Sequence, residues 1–327
     1  FSGVAANSLI IHSSGEILIE NVTTDNNGTN GMLINGHDDP TATYTANVTI
    51  KDSNASTNGN DGINISAVGG DITIIGTTTA NNSSEGITIN DVGGNVTITD
   101  TTSTGNGDDG ILIDQVDGDI TLKNVNAIDN VTNDGIDIQN TQGSVSITNV
   151  TATGNMSGLE IDATFGNVSG SNITASDNIA DGVDVNIANG SVNLSNITSE
   201  NNGDNGIEVF RISGGAILVC VTSTNNGADG VNVSATDNVT VKCSTITDNT
   251  QDGVDIGLAD TAQLLSVTST GNTALDYNID IQTSITEKEI DCSGKKKPSS
   301  TGQKGPWTKL YCLPGEIEVA LYDTCLL

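Results

Sequence analysis

A chain of 327 residues with 38 glycines, four prolines and only 2% aromatic residues lacks the bulky apolar material of ordinary globular cores, although its length alone would suggest two domains. Ten basic residues against 41 acidic ones give a formal net charge of −31, which repels phosphate backbones and anionic bilayers and excludes nucleic acid as a partner. No run of about 18 apolar residues occurs, so no membrane span is expected.

The chain opens at Phe1 with neither Met nor a signal-peptide pattern, as expected of a processed protein or a segment of a longer one. Its first phrases, Gly3-Val-Ala-Ala and Glu16-Ile-Leu-Ile, already alternate as short strands do. From Asn27 and Gly31 onward one phrase recurs. A glycine followed by an apolar-x-apolar triplet stands at Gly62, Gly86, Gly110, Gly135, Gly158, Gly182, Gly206, Gly230 and Gly253, in steps of 24, 24, 25, 23, 24, 24, 24 and 23. An asparagine keeps the same beat at 58, 82, 106, 130, 155, 178, 202, 226, 249 and 272. The step from Gly31 to Gly62 is 31, and the surplus around residues 37–44 is expected to bulge from one coil.

Each copy predicts three short strands: one through Ile87 and Ile89, one through Val96 and Ile98, and a threonine-rich run such as residues 221–224. Strands this short cannot close a sheet within one copy. Each must pair with its counterpart in the next, so that coils stack about 4.8 Å apart and three parallel sheets wrap a narrow apolar core. The expected fold class is all-β, a parallel β-helix solenoid of about 11 coils with a period of about 24 residues over residues 1–284. This period with three strands per turn resembles the right-handed parallel β-helix of the pectate-lyase-like superfamily, over roughly residues 1–282 and in architecture alone. Scarce leucine and the lack of helical spacing exclude a leucine-rich repeat. The missing Gly-Gly-x-Gly-x-Asp beat excludes the calcium-binding nonapeptide repeat.

Stacking gives each column one task. Apolar residues at 63, 65, 87, 89, 111, 113, 136, 138, 183, 185, 207 and 209 form a first inward stripe. A second is expected through Ile72, Val96, Ile120, Val145, Val168, Val192, Ile217 and Val239. Asn124, Asn149, Asn172 and Asn196 mark a corner where stacked asparagines can hydrogen-bond one another. Cys220 and Cys243 continue that column. One rung lies within disulfide range at Cα but is slightly far at Cβ, which leaves a disulfide and a pair of free buried thiols both open. Residues 285–327 break the repeat and hold Lys288, Lys295, Lys296, Lys297, Lys304, Lys309, Trp307 and Cys292, Cys312 and Cys325; they read as a C-terminal cap with a strand over residues 316–322. Five cysteines, an odd number, and sequons at Asn21, Asn47, Asn95, Asn149, Asn172, Asn196 and Asn238 point to a glycosylated chain outside the cell or on its surface.

The outward residue of the first strand runs Asn64, Thr88, Leu112, Asp137, Glu160, Asp184, Glu208, Asn232, Asp255. Asp137, Glu160, Asp184 and Glu208, with Asp162 beside them, should hold protons or recruit a cation. Polysaccharide-cleaving members of the resembled superfamily place their sites on an outward sheet face, so the resemblance makes these four the candidate catalytic residues. Two carboxyls roughly 6.5–9.5 Å apart would suit an inverting glycosidase. A lyase would need Ca²⁺ with a lysine or arginine, yet Arg211 is the sole arginine, the coils offer only Lys51, Lys123 and Lys242, and neither His12 nor His37 lies in the patch. The pectin-degrading motifs with paired aspartates, Gly-His-Gly and Arg-x-Lys are missing. A plain solvated acidic face is the competing reading.

A second acidic column, Asp61, Glu85, Asp109, Asp134, Asp181, Asp229 and Asp252, precedes the repeat glycine. It serves the turn, or Asp109, Asp134, Asp229 and Asp252 ligate Ca²⁺. Threonine pairs such as 102 and 104 or 151 and 153 resemble an ice-binding array, broken at Ala80, Ile128 and Glu200. With near-uniform coils and no catalytic set, the residues favour a structural rod: an appendage or filament subunit or adhesin shaft, associating head to tail, not an enzyme, with Ca²⁺ its one conceivable cofactor. The alternative is an extracellular protein that binds or cleaves polysaccharide, ahead of Ca²⁺ or ice binding alone.

Overall fold

The computed structural model describes residues 1–35, 46–130, 132–186, 188–235, 237–285 and 308–312. The chain forms two compact units, Phe1–Ser169 and Gly170–Leu327, each wound as a parallel β-solenoid on the same plan. In the first unit, strands Leu9–His12, Met32–Asn35, Ile63–Val68, Ile87–Val92, Ile111–Val116, Ile136–Thr141 and Leu159–Asp162 stack in parallel as the first sheet. In the second unit the same sheet comprises Val183–Asn186, Ile207–Ile212, Val231–Ala235, the start of Val254–Thr270, and Tyr277–Ile285. Register is strict: Ile87 lies between Ile63 and Ile111, and Thr88 between Asn64 and Leu112. The isoleucines face a dry core in which Ile63, Ile65, Ile87, Ile89, Ile111 and Ile113 are all 0% exposed.

The second and third predicted strands are largely one element. Val96–Thr104, Ile120–Ile128 and Val145–Thr153 in the first unit, and Val192–Glu200, Ala216–Thr224 and Asn238–Thr247 in the second, run on through a single corner residue. That residue is left-handed: Asp100 (φ 52), Asn124 (φ 53), Asn149 (φ 55), Asn196 (φ 54), Cys220 (φ 55) and Cys243 (φ 52). Asparagine and aspartate tolerate this region better than other side chains, which is why they dominate the column. The expected ladder is present, with Asn149 Nδ2 donating to Asn124 Oδ1 (3.0 Å) and Asn196 Nδ2 to Asn172 Oδ1 (3.1 Å), but it is exposed.

A second, buried ladder follows the asparagine beat. In the first unit Asn58 Nδ2 donates to Asn82 Oδ1 (2.9 Å), Asn82 to Asn106 (3.0 Å), Asn106 to Asn130 (3.0 Å) and Asn130 to Asn155 (3.0 Å). In the second unit Asn178, Asn202, Asn226, Asn249 and Asn272 repeat the pattern. The repeat glycine exists because of this ladder. A Cβ on Gly62 would stand 2.7 Å from Asn82 Nδ2 and 2.7 Å from the Gly86 carbonyl oxygen.

The expectation for Ile217 fails, and neither alternative left open for the cysteines is found. Ile217 is 46% exposed and Ala216 is the buried residue, paired with Val192; the alternation runs Ala216 in, Ile217 out, Leu218 in. The Cys220–Cys243 disulfide does not form: Cys220 is a free, half-buried thiol, while Cys243 is disulfide-bonded elsewhere. Their strands pair in parallel register, which directs equivalent side chains the same way rather than toward each other. Of the expected cap, strand Thr308–Cys312 pairs antiparallel with Tyr277–Ile281. Cys292, Cys325, the strand expected over 316–322 and the insertion at 37–44 lie outside the described residues, and among the described residues no helix is long and apolar enough to cross a membrane.

These contacts set two stability expectations. Gly62→Ala should cost about 1–3 kcal/mol by forcing the rungs apart, whereas Gly257→Ala, where an added Cβ meets nothing within 4 Å, should stay within about 0.5 kcal/mol of wild type. Asn106→Ala removes the acceptor of one side-chain N–H and of the backbone N–H of buried Asn82, and should cost about 1–3 kcal/mol. Urea denaturation followed by circular dichroism measures all three.

Candidate functional site

The two acidic columns meet. Asp109, Asp134, Asp181, Asp229 and Asp252 each use one carboxylate oxygen to hold the next rung: the Asp134 N–H donates to Asp109 Oδ1 (2.8 Å), and the Ser157 N–H to Asp134 Oδ1 (2.7 Å). In the second unit the Asn205 N–H donates to Asp181 Oδ1 (2.8 Å) and the Asp252 N–H to Asp229 Oδ1 (2.7 Å). The turn role read from sequence is thus real, though it spans rungs. Three residues on, across the glycine, the outward strand residue comes back alongside.

In the first unit this brings Asp109, Asp134 and Asp137 together, each offering an oxygen within 4.8 Å of the others. All three are buried, at 3%, 4% and 3% exposure. Asp137 Oδ2 accepts from Gln139 Nε2, whereas Asp137 Oδ1 is buried with no hydrogen-bond partner. Glu160 pairs with Asp137 on the adjoining rung, and Asp162 lies on the same strand, its own Oδ1 also buried without a partner.

The electrostatics follow from burial among like charges. Burial first, then the charges of Asp137, Asp134 and Asp108, push Asp109 up to about 8, against the hydrogen bond from the Asp134 backbone. Burial, then Asp134, Asp162 and Asp114, push Asp137 up to about 7, with the Gln139 hydrogen bond opposing. Burial and a hydrogen bond with Asp134 push Glu160 up to about 9, and burial with Asp134 raises Asp162. A separate pair titrates together lower down the unit. Burial and a hydrogen bond with Glu85 raise Asp61 to about 7; burial also drives Glu85 upward, but hydrogen bonds from Asp61 and Ser84 outweigh it and lower Glu85.

The second unit holds a more open cluster, with Asp181, Asp184 and Glu208 each offering an oxygen within 4.8 Å of the others. Burial and then Asp181, Asp204 and Asp229 push Glu208 up to about 7, and Glu208 Oε1 accepts from Asn232 Nδ2 (3.0 Å). Of the expected calcium ligands, Asp109 and Asp134 come together with Asp137, while Asp229 and Asp252 meet without a third carboxylate among the described residues. Of the expected catalytic residues, Asp137 and Glu160 are neighbours in the first unit, and Asp184 and Glu208 in the second. Sequence reading missed the convergence of the columns. Its signal was the spacing Asp134-x-x-Asp137 and Asp181-x-x-Asp184, bridged by glycine.

Several sequon asparagines serve the solenoid. Asn95 Nδ2 donates to Asp71 Oδ1 (3.1 Å), Asn238 Nδ2 to Asp237 Oδ1 (2.9 Å), and Asn47 Oδ1 accepts from the Asp71 N–H (2.7 Å). Asn149, Asn172 and Asn196 belong to the exposed ladder, and Asn21 occupies an exposed left-handed corner at φ 55. Lys51 and Lys123 stand on the second sheet, in strands Val48–Lys51 and Ile120–Ile128, away from the first-sheet cluster.

The family model for the right handed beta helix region matches residues 1–124 and 109–274. No curated protein matches the chain in sequence. Among solved structures, the periplasmic alginate epimerase AlgG superposes with a TM-score of 0.51 at 13% identity, over 84% of this chain and 76% of that one. Pectate lyase Pel9A gives 0.43 at 15% over 82% and 72%, and the A-module of the Azotobacter vinelandii mannuronan C-5 epimerase AlgE4 gives 0.40 at 14% over 86% and 82%. At these identities the likeness is one of fold.

The raised carboxyls make stability pH-dependent. Groups whose folded pKa lies above the unfolded value of about 4 bind protons more tightly when folded, so their contribution is full below that value and lost as pH rises through the folded one. With Asp109 at about 8, Asp137 at about 7 and Glu160 at about 9, the loss falls between about pH 4 and pH 9. In buffer with EDTA the melting temperature should therefore fall steadily as pH rises through this window, and Asp137→Asn should flatten the fall. A pH-independent melt of the wild type would contradict it.

Proposed function

We propose that this chain, which belongs to the right-handed beta helix family, acts on polysaccharide outside the cytoplasm, holding an acidic glycan against the outward face of the first sheet through a divalent cation. The observation that carries this reading is Asp137 Oδ1, buried without a partner among the oxygens of Asp109 and Asp134. Three buried carboxylates are stable only if protonated or neutralised by a cation, and an all-oxygen cluster suits Ca²⁺, which takes six to eight oxygen ligands. Asp109, Asp134 and Asp137 supply too few by themselves, and the glycan's carboxylate and hydroxyls complete the set. Bound there, the cation turns a face that repels acidic glycans into one that attracts them.

Glu160, on the adjoining rung and hydrogen-bonded with Asp134, borders the cluster and offers its carboxyl to a sugar hydroxyl. No lysine or arginine stands on the first-sheet strands of the first unit among the described residues, so binding is better supported than a lyase step. The alginate epimerase with the same fold is in keeping with a polysaccharide ligand and a location beyond the cytoplasm. The shaft reading takes second place because it needed uniform outward surfaces. Here the turn and strand columns converge on one buried acidic cluster in the first unit rather than repeating at every rung.

Binding of acidic and neutral polysaccharides in Ca²⁺ and in EDTA, with assays for new reducing ends and unsaturated uronate ends, tests the reading. The expected result is retention of an acidic polysaccharide in Ca²⁺ that weakens at least about tenfold (about 1.4 kcal/mol) in EDTA and in Asp137→Asn. Binding to no polysaccharide, or binding equal in EDTA and in the variant, would overturn it; head-to-tail assembly by light scattering alongside such a result would restore the shaft.

A further inference from the structure

In the second unit, strand Ile207–Ile212 departs from the pattern of its sheet. Ile207, Val209 and Ile212 are buried, and Glu208 and Phe210 face outward. At the position of Phe210 the other rungs carry small or polar residues: Ser66, Asn90, Asp114, Gln139 and Asp162 in the first unit, and Asn186, paired with Phe210, in the second. The next residue is a left-handed corner, filled elsewhere by Ala67, Asp91, Gln115, Asn140, Ala163 and Leu258; here it is Arg211, at φ 54. An arginine gains nothing from that backbone conformation. It is also the only arginine in the chain.

In a chain with 41 acidic residues, the sole arginine makes no ion pair with any carboxylate among the described residues. Its guanidinium carbon instead lies 4.8 Å from the centre of the Phe210 ring. At an exposed site such stacking is a minor stabilisation, too small to account for both departures on one rung. What it does is fix the guanidinium over one face of the Phe210 ring. A planar fork of that kind matches a carboxylate through two parallel hydrogen bonds. On the same face stand Glu208, an acceptor, and Asn232, whose amide already contacts Glu208, beside Asp184.

We propose that Phe210 and Arg211, with Glu208 and Asn232, form a subsite for one uronate residue of a glycan: the sugar ring lies on Phe210, its carboxylate is gripped by Arg211, and its hydroxyls meet Glu208 and Asn232. The subsite rests on the polysaccharide reading and adds to it that the acid is recognised directly, without a cation.

Calorimetric titration of the full chain with galacturonate, mannuronate and guluronate trisaccharides, and with their carboxyl-reduced counterparts, tests it. Arg211→Gln should weaken the preferred uronate trisaccharide at least about tenfold while leaving its carboxyl-reduced counterpart and the melting temperature unchanged. Arg211→Lys should recover only part of the loss, and Phe210→Ala should weaken both ligands. If Arg211→Gln binds the uronate as wild type does while Asp137→Asn and EDTA abolish binding, the subsite is refuted and the polysaccharide reading stands. If wild type binds none of the trisaccharides and no polysaccharide, both fall.

Discussion

One close contact, that of a rung's glycine with the next rung's asparagine amide and glycine carbonyl, is what the rest of the structure depends on. At Gly62 a single methyl group would meet two such atoms at 2.7 Å. The glycine allows the coils to approach at hydrogen-bonding distance, the buried asparagine joins them side chain to side chain, and between them they pin the register. Register in turn decides which side chains face out, because a one-residue slip in a strand reverses every side chain. The outward columns are a consequence of an inward contact.

Strict register has an electrostatic cost. It places like residues about 4.8 Å apart along each face, and in this acidic chain the like residues are often carboxylates. The structure meets that cost in two ways. Asp109 and Asp134 each direct an oxygen at the backbone N–H of the following rung. Asp61 with Glu85, and Glu160 with Asp134, are coupled by hydrogen bonds between carboxyls, which require a shared proton. Asp137 Oδ1 has neither remedy. A buried oxygen left without a donor where two further carboxylates converge is the place proposed as the site.

The solenoid was legible in the sequence because its period is written in residues with no freedom to vary: the glycine that a Cβ would obstruct and the asparagine that bonds its own copy. What was less legible depended on backbone conformation. The asparagines at 124, 149 and 196 sit at left-handed corners that let two predicted strands run on as one. Ile217 looked like core by hydrophobicity, but Ala216 took the inward position by alternation. The cysteine pair at 220 and 243 shared a column, and parallel register kept it unbonded. The acidic site was half legible. Each column could be read by itself, but their convergence needs the turn at Gly135, which brings Asp134 and Asp137 together and sets Asp109 beneath them. Uniform rungs read as a shaft; the places where rungs differ, Asp137 with Glu160 and Phe210 with Arg211, carry the functional reading.

The central claim is that the first-unit cluster is a cation site and not merely a solvated acidic face. Calorimetric titration of the intact chain with Ca²⁺ near neutral pH tests it most directly. A saturable site that disappears in Asp137→Asn and persists in Glu208→Gln, with both variants folded, is the predicted result. An isotherm unchanged by Asp137→Asn, or no binding heat in the wild type, would contradict it.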